Sequence, residues 1–444
     1  MDDLLIKNGT LINEGQRYAA DIYIRGSRIE KIDSQISRPA SVVIDATDCW
    51  VLPGIIDDQV HFREPGLTHK ADIATESAAA AAGGVTAFMD MPNTVPPTLT
   101  LELLEKKYQL AAKKSHIHYS FYMGTSNDNV EEVLRTPKDT VCGVKVFMGS
   151  STGNLLVDDQ RTLERLFSSC ETLIATHCED ETRIRRNYQF YHSLYGDDMP
   201  AAVHPLIRDE EACLRSSTYA VDLARRYGTR LHVLHLTTAD ELQLFEDIPP
   251  TASKRITCEV CVHHLYFTSR DYRALGHRIK CNPAIKAPHH REALRQALQT
   301  HRIDIIATDH APHTLEEKRR PYASAPSGLP LVQHGLSLML QLHREGLITP
   351  ERIVQLMSHH PAICFGIRER GFLREGYYAD IAIVQPETVY RVERKQLMYK
   401  CGWSPLEGHR LPGRVTHTIV NGKIVYQHGK IYRTGSAERL LFDR

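Results

Sequence analysis

The chain has 444 residues, of which 42% are hydrophobic and 24% are charged, proportions typical of globular proteins. Its 54 Lys and Arg residues balance 54 Asp and Glu residues, and this neutrality argues against nucleic acid or an anionic membrane as a partner. We expect no signal peptide, because the N-terminus lacks a basic segment followed by an apolar one. We expect no membrane-spanning helix, because no apolar run approaches about 20 residues. Ten cysteines are scattered along the chain, which favours reduced thiols and a cytoplasmic location.

Short β segments are predicted near both ends of the chain. They are Leu4–Lys7, Asp21–Ile24, Ile29–Ile32 and Val42–Ile44 near the N-terminus, and Asp380–Val384, Val415–Val420 and Lys423–Tyr426 near the C-terminus. Asn8-Gly9 is predicted to be a turn, and Asn421-Gly422 a hairpin turn. Because both ends share this pattern, we predict one composite β-sandwich domain formed by residues 1–52 and 365–444.

The middle of the chain, residues 53–364, alternates strands with helices. The predicted strands are Ile55–His61, Val85–Met89, Ile117–Tyr122, Gly143–Phe147, Leu173–His177, Leu231–Leu236, Ile256–Val262 and Ile303–Thr308. The predicted helices are Asp72–Ala82, Thr100–Lys114, Asp158–Ser169, Asp209–Tyr227 and His289–Thr300. Strands that are apolar on both faces and alternate with amphipathic helices indicate a parallel sheet. Eight such strands predict an α/β fold, a (β/α)8 barrel of the TIM type.

Metal-binding residue types stand at the carboxyl ends of the predicted strands. His61, His177 and His235 lie at the ends of the first, fifth and sixth strands, and Asp309 follows the eighth. A lone histidine after an apolar run is more often a hydrogen-bonded core residue than a ligand. Ligand types at equivalent ends of four strands favour a metal site instead, since barrel active sites form at that face. Imidazole and carboxylate ligands suit zinc.

Lys145 lies in an apolar strand, between Val144 and Val146. Burial of a charged amine is costly and lowers its pKa. A neutral amine can react with CO2 to form a carbamate, an anionic ligand able to bridge two metals. The alternative is an ion pair of Lys145 with Asp309 or Glu259. These residues alone favour neither interpretation.

A set of motifs is distributed between Pro53 and His313. They are Pro53-Gly54-Ile55-Ile56-Asp57, His61-Phe62-Arg63-Glu64-Pro65-Gly66, Met91-Pro92-Asn93-Thr94, Gly143-Val144-Lys145-Val146-Phe147, His177-Cys178-Glu179-Asp180, Asn282-Pro283 and Ala307-Thr308-Asp309-His310-Ala311-Pro312-His313. With these motifs the chain resembles the amidohydrolase superfamily and, within it, the dihydroorotases of the long bacterial type. The resemblance implies reversible cyclisation of N-carbamoyl-L-aspartate to L-dihydroorotate in pyrimidine biosynthesis, a zinc cofactor and a homodimer.

The resemblance also implies roles for the strand-end residues. His61 and Asp309 match the ligands of one zinc, and His177 and His235 match the ligands of a second. Lys145, as its carbamate, matches the bridge between them. Asp309 matches the catalytic group that exchanges a proton with the attacking water and the ring nitrogen.

A second set of positions matches the family's substrate contacts. Arg63, Asn93 and Asn282 match the clamp on the substrate carboxylate, and His313 matches a further contact. Ser327 and Gly328 fall near a loop that offers backbone groups to the pyrimidine ring. From the residues alone, Arg63 has an alternative role as an ion-pair partner of Glu64 or Asp90. Residues 314–327 are predicted to be a long loop able to close over the substrate.

The chain departs from the family at Gln59. The family usually has His-x-His at the end of the first strand, whereas this chain has Gln59-Val60-His61. An amide oxygen is a weaker zinc ligand than imidazole. We therefore predict that Gln59 is a weak ligand and that the metal at His61 and Asp309 is loosely held.

Two other functions are compatible with these motifs. One is a different cyclic amidase, such as a dihydropyrimidinase, hydantoinase or allantoinase, against which Arg63, Asn93 and Asn282 argue. The other is an inactive dihydroorotase-like scaffold that supports a partner such as aspartate transcarbamoylase. Gln59 favours the scaffold, and the presence of the other metal-ligand types argues against it.

Overall fold

The computed structural model describes residues 3–149 and 154–444. In these ranges the strands are β1 (Leu4–Asn13), β2 (Gln16–Arg25), β3 (Arg28–Asp33), β4 (Val42–Asp45), β5 (Trp50–Pro53), β6 (Ile55–Val60), β7 (Val85–Asp90), β8 (His118–Phe121), β9 (Met123–Gly124), β10 (Val144–Phe147), β11 (Ile174–His177), β12 (Leu231–Val233), β13 (Ile256–Cys261), β14 (Ile305–Ala307), β15 (Ile381–Arg391), β16 (Arg410–Val420), β17 (Lys423–Gln427) and β18 (Lys430–Ile431). The α-helices are α1 (Ile73–Ala82), α2 (Leu101–Lys114), α3 (Val130–Val133), α4 (Gln160–Ser169), α5 (Glu181–Tyr195), α6 (His204–Ile207), α7 (Glu210–Tyr227), α8 (Val262–Tyr266), α9 (Tyr272–Leu275), α10 (Pro288–Ala297), α11 (Leu315–Lys318), α12 (Gly335–Arg344), α13 (Pro350–Val354) and α14 (His360–Phe365). None of these helices is long and apolar enough to cross a membrane.

Parallel strands form a closed barrel in the middle of the chain. Strands β6, β7 and β8 pair in sequence, and so do β9 to β14. The first and last strands meet where the His61 amide donates to the His310 carbonyl across 2.7 Å. The two sets of strands join because β8 continues through Tyr122 into β9, whose Met123 amide donates to the Gly143 carbonyl across 3.0 Å. The predicted barrel is therefore confirmed, and each of its predicted strands is present.

Side-chain caps begin the predicted helices. Asp72 accepts from the Thr75 amide at the start of α1, and Thr100 accepts from the Leu103 amide at the start of α2. Asp209 caps α7 in the same way. Such caps satisfy amides that have no partner within the helix, so the predicted starts at Asp72, Thr100 and Asp209 are confirmed to within one residue.

Both termini contribute to one nine-stranded sheet, with the order β18-β17-β16-β15-β5-β1-β2-β3 and β4 beside β1. These strands share a hydrophobic cluster of their own, which includes Ile6, Ile22, Ile381 and Ile419. The chain's last residues pack instead on the barrel, where Phe442 joins a cluster of barrel side chains.

The two predicted Asn-Gly turns have different outcomes. Asn421-Gly422 forms the turn between β16 and β17, with positive φ at both residues, as predicted. Asn8-Gly9 lies inside β1 instead, and the prediction of a turn there is wrong. Asn8 has a φ of 60°, and the register with β2 shifts between Ile6 and Gly9. The left-handed residue that suggested a turn produces a β-bulge.

A buried ion pair joins the terminal sheet to the barrel. Asp380, just before β15, pairs with Arg370, and its Oδ1 lies 3.1 Å from Nε2 of His118 on β8. The Asn421 amide also donates to Oδ1 across 2.8 Å. Burial raises the pKa of Asp380, but Arg370 and His118 outweigh burial and hold that pKa well below its ordinary value.

Candidate active site

A cavity of about 450 Å³ opens at the carboxyl ends of the barrel strands. Every residue singled out from the sequence lines it, namely Gln59, His61, Arg63, Asn93, Lys145, His177, His235, Asn282, Asp309, His313, Ser327 and Gly328. They are far apart along the chain, and the parallel strands bring them to one end of the barrel.

His61 and Asp309 form one pair of potential ligands. Nε2 of His61 lies 3.1 Å from Oδ1 of Asp309, and Nδ1 lies 2.8 Å from Oδ1 of Asn93. Because the Asn93 oxygen can only accept, Nδ1 carries a proton, and Nε2 is the nitrogen that faces the Asp309 carboxylate. Burial raises the pKa of Asp309, but His61 outweighs it and lowers this pKa. An imidazole lone pair beside a carboxylate is a donor set for a cation.

His177 and His235 form the second pair, with Nδ1 of His177 lying 3.0 Å from Nε2 of His235. The other nitrogen of His177 lies 2.8 Å from Oε2 of Glu179, which also pairs with Arg208. Burial raises the pKa of Glu179, but Arg208 and His177 lower it to about 2. An ionised Glu179 accepts the Nε2 proton and leaves the Nδ1 lone pair for a metal. Burial and His177 keep the pKa of His235 well below its ordinary value.

Glu179 and Arg208 were not among the predicted site residues. Glu179 stands two residues after His177 in a quoted motif, so its signal was present in the sequence. Arg208 lies immediately after α6 and reaches Glu179 only through the tertiary fold.

Lys145 lines the cavity with its amine beside an aromatic ring. The residue is 1% exposed, and Nζ lies 4.6 Å from the centroid of the Phe147 ring. Burial lowers the pKa of Lys145 to about 7. Among the described residues Lys145 has no ion pair within 4.0 Å, so the alternative of a pair with Asp309 or Glu259 is wrong.

Arg63 is a buried cation at the side of the cavity. Its Nε donates to the Pro312 carbonyl across 3.0 Å, and Nη2 lies 3.0 Å from Nε2 of His313. Burial lowers the pKa of Arg63 to about 10, so the guanidinium remains charged at neutral pH. Glu64 pairs with Lys114, and Asp90 pairs with Lys107, so the alternative ion pairs of Arg63 are wrong.

Lys70 is a second cation in the cavity, and the predictions missed it. Its Nζ donates to Nδ1 of His313 across 3.0 Å and pairs with Glu317 at 3.1 Å. Burial and the charge of Arg63 keep the pKa of His313 well below its ordinary value. His313 is therefore neutral and accepts from Lys70 at Nδ1, while its Nε2 lies 3.0 Å from both the Ser327 carbonyl and Nη2 of Arg63.

Three site residues have backbone conformations that L-amino acids rarely adopt. The φ angles are 66° at Arg63, 43° at His235 and 44° at Asp309. Such a residue is strained by roughly 1–3 kcal/mol, and strain of this kind clusters at functional sites. Each of the three follows a barrel strand, where the positive φ redirects the chain and its side chain at the mouth of the cavity.

Residues 314–327 form the predicted long loop after the last barrel strand. They contain one four-residue helix, α11, which Thr314 and Glu317 begin as a capping box. Lys318 Nζ donates to the carbonyls of Lys280, Pro326 and Gly328 at 3.0, 2.8 and 2.9 Å. The Gly328 amide donates to the Lys280 carbonyl across 2.8 Å. The amide and the carbonyl of Gly328 are thus both hydrogen-bonded within the protein, although the family's loop offers such groups to the substrate.

Gln59 lines the cavity beside His61. Its Oε1 accepts a hydrogen bond from the Cys261 thiol across 3.4 Å. The Gln59 oxygen, which stands where the family has an imidazole, therefore already accepts a hydrogen bond from Cys261.

Two family profiles match the chain, the Dihydro-orotase-like family over residues 49–183 and the Amidohydrolase family over residues 214–425. A dihydroorotase of Methanosarcina mazei is 34% identical over 420 residues, which cover 92% of this chain and 91% of the relative. The chain belongs to the dihydroorotase-like amidohydrolases. It is accordingly a cyclic amide hydrolase, and the predicted family is confirmed.

Other amidohydrolases resemble this one closely. An allantoinase of Bacillus velezensis is 30% identical over 440 residues, covering 98% of this chain and 96% of the relative. The solved structure of an L-hydantoinase (dihydropyrimidinase) from Arthrobacter aurescens has a TM-score of 0.93 and 26% identity, covering 99% of this chain and 100% of that one. This amidohydrolase therefore shares its fold with enzymes that act on different cyclic amides.

Proposed function

We propose that the chain is a zinc-dependent dihydroorotase, which interconverts N-carbamoyl-L-aspartate and L-dihydroorotate in pyrimidine biosynthesis. The observation that best supports this substrate is the buried cation Arg63 in the same cavity as the metal-ligand types. Both forms of the substrate carry a carboxylate outside the reacting amide, and a guanidinium binds a carboxylate through paired hydrogen bonds. The likeness to the dihydroorotase of M. mazei supports the same assignment.

The donor pairs fit zinc. Tetrahedral zinc with bonds of about 2.0–2.1 Å separates its ligands by about 3.3 Å, and the pairs His61–Asp309 and His177–His235 are separated by 3.1 and 3.0 Å. Lys145, as its carbamate, would join the two sites. When bound there, zinc lowers the pKa of a water molecule to about 7 and polarises a carbonyl oxygen.

Asp309 would move the proton. Its lowered pKa keeps it a carboxylate at neutral pH. In ring opening it takes a proton from the attacking water and delivers it to the departing ring nitrogen. In ring closure it takes the proton of the ureido nitrogen as that nitrogen attacks the side-chain carboxyl group, from which an oxygen leaves as water.

Arg63 would hold the substrate by its free carboxylate, together with Asn93, Asn282 and His313. Nδ2 of Asn93 is the amide group that remains to donate to a ligand, since Oδ1 contacts His61. The Ser327 carbonyl holds His313 in place. This clamp orients the ring so that the reacting carbonyl faces the metal donors, which lowers the entropy cost of the reaction.

The test is a substrate panel with the purified, zinc-loaded chain. We expect ring opening of L-dihydroorotate and ring closure of N-carbamoyl-L-aspartate, with dihydrouracil, hydantoin and allantoin turned over far more slowly. A preference for one of the last three would replace this proposal with a different cyclic amidase. No turnover of any substrate by zinc-loaded protein would favour the inactive scaffold.

Finer assignments belong to the same proposal. We infer a composite β-sandwich domain of residues 1–52 and 365–444, of which residues 1–2 lie outside the described residues, and a barrel domain of residues 53–364. The order of the terminal sheet supports this division.

We also infer a cytoplasmic homodimer. All ten cysteines are free thiols, in agreement with a reducing compartment, and light scattering would measure the mass of the assembly.

A further inference from the structure

A second cluster of metal-ligand types lies inside the barrel, separate from the cavity. It comprises Asp58 on β6, His232 on β12 and Glu259 on β13, and each of them is 0% exposed. None of the three lines the cavity. One ligand atom from each lies within 4.8 Å of the others.

Among the described residues no donor meets hydrogen-bond geometry with either carboxylate oxygen of Asp58, and its ion-pair contact is with His232 at 3.3 Å. Its neighbour Asp57 is also buried, yet Asp57 accepts from the Thr308 hydroxyl at 2.6 Å and from the Thr308 amide at 3.2 Å. A buried carboxylate without partners is strongly destabilising. Asp58 therefore lacks the donors that satisfy Asp57 and has oxygen lone pairs free to accept a further ligand.

The hydrogen bonds of His232 aim its Nε2 at the carboxylates. Nδ1 lies 2.8 Å from the Thr257 hydroxyl oxygen, and that hydroxyl donates to the Leu231 carbonyl at 3.4 Å. The Thr257 oxygen therefore accepts the Nδ1 proton. Nε2 faces Oδ2 of Asp58 at 3.3 Å and Oε2 of Glu259 at 3.4 Å.

These separations suit metal ligands better than hydrogen bonds. Charge-assisted N–H···O bonds are about 2.7–2.9 Å long, which is shorter than both contacts. Two ligands of tetrahedral zinc are about 3.3 Å apart, given bonds of about 2.0–2.2 Å. Two carboxylates and an imidazole that releases its Nε2 proton when a metal binds would carry the charge that one divalent cation neutralises.

We propose that Asp58, His232 and Glu259 bind a divalent metal ion, with zinc as the ion that matches their nitrogen and oxygen donors. Oε1 of Glu259 accepts from the His235 amide at 3.2 Å. The metal would therefore also stabilise the backbone position of His235, just after β12. The site is a structural one beneath the cavity, and it does not depend on which cyclic amide the enzyme takes.

The deciding experiment is diffraction from crystals of the full-length protein grown with zinc chloride, recorded above and below the zinc absorption edge. We expect an anomalous peak between Asp58, His232 and Glu259, distinct from any peak in the cavity. Zinc in the cavity but none in this cluster overturns the proposal and leaves the proposed function intact.

Zinc content gives an independent measurement. After dialysis against zinc-free buffer, Asp58→Asn and Glu259→Gln are each expected to hold one equivalent less than the parent chain. Asp57→Asn is the matched control, because it changes the adjacent buried carboxylate that Thr308 already satisfies, and it is expected to keep the parent content. An unchanged zinc content in folded Asp58→Asn overturns the proposal.

Discussion

Glu179 accepts the Nε2 proton of His177 across 2.8 Å, and this contact fixes which nitrogen of His177 faces His235. The carboxylate is buried and ionised because Arg208 pairs with it. A metal at His177 and His235 would therefore depend on a residue that does not itself touch the metal. Partners of this kind affect metal affinity about 10- to 100-fold.

Glu179→Gln should weaken zinc binding at His177 and His235 by about 10- to 100-fold. A neutral amide can offer its nitrogen to His177 and stabilise the wrong tautomer. Competition with a chelating dye would measure the affinity. Glu211→Gln, which changes an exposed glutamate paired with Arg215 on α7, is the control. Equal affinity in Glu179→Gln and the parent would show that another group orients His177.

Asp309→Asn should lower kcat by about 100-fold or more in both directions, since it removes the group that accepts the proton. The fold should remain, because an amide has nearly the shape of the carboxylate. Circular dichroism would confirm folding, and zinc analysis would separate lost chemistry from lost metal. Substantial residual turnover in a zinc-loaded variant would remove Asp309 from this role.

Arg63→Gln should raise the KM for L-dihydroorotate by about 10- to 100-fold, the effect of losing charge-assisted hydrogen bonds. Dihydrouracil lacks the carboxylate, so its slow turnover should change little. Arg320→Gln, at an exposed arginine on the segment after α11, should behave like the parent. An equal loss of activity toward L-dihydroorotate and dihydrouracil would mean that Arg63 maintains the structure of the site and does not bind the substrate carboxylate.

Gln59→His should tighten the metal held by His61 and Asp309, because imidazole is a better zinc ligand than an amide oxygen. We expect the parent to lose this zinc on dialysis and Gln59→His to retain it. Zinc analysis after dialysis makes the comparison. Two zinc ions that remain bound at the catalytic donors of the parent would contradict the predicted weak binding at His61 and Asp309.

Asp380→Asn should lower the free energy of unfolding by about 3–5 kcal/mol at pH 7, since it removes the buried anion beside Arg370 and leaves, among the described residues, only the exposed Glu438 as its ion-pair partner. The folded pKa of Asp380 is below its unfolded value of about 3.9. The contribution of Asp380 is therefore complete above that value and is lost as the pH falls below it. Urea unfolding at pH 7 and at pH 3 should show a smaller difference between variant and parent at pH 3.

The control for this measurement is Asp443→Asn. Asp443 pairs with Arg368 at the surface, where their side chains are 65% and 46% exposed, and such pairs contribute about 0–1 kcal/mol. A similar loss in both variants would mean that burial of the Asp380 pair has no special effect.

Local patterns in the chain were sufficient to predict the barrel and most of its site. Apolar strands alternating with helices leave few arrangements other than a parallel barrel. The carboxyl ends of such strands meet at one face, so His61, His177, His235 and Asp309 could be assigned to one site before any distance was known. Caps such as Asp72 are equally local, because the cap and the amide that it satisfies are three residues apart.

Contacts between distant segments determined the features that the sequence patterns did not predict. Asn8-Gly9 has the composition of a turn, and its pairing with β2 converts it into a bulge. Asp58, His232 and Glu259 become a cluster only when β6, β12 and β13 line the same barrel interior. Sequence spacing carries the periodicity of helices and strands, whereas the partner of a buried charge depends on which distant strands the closed barrel brings together.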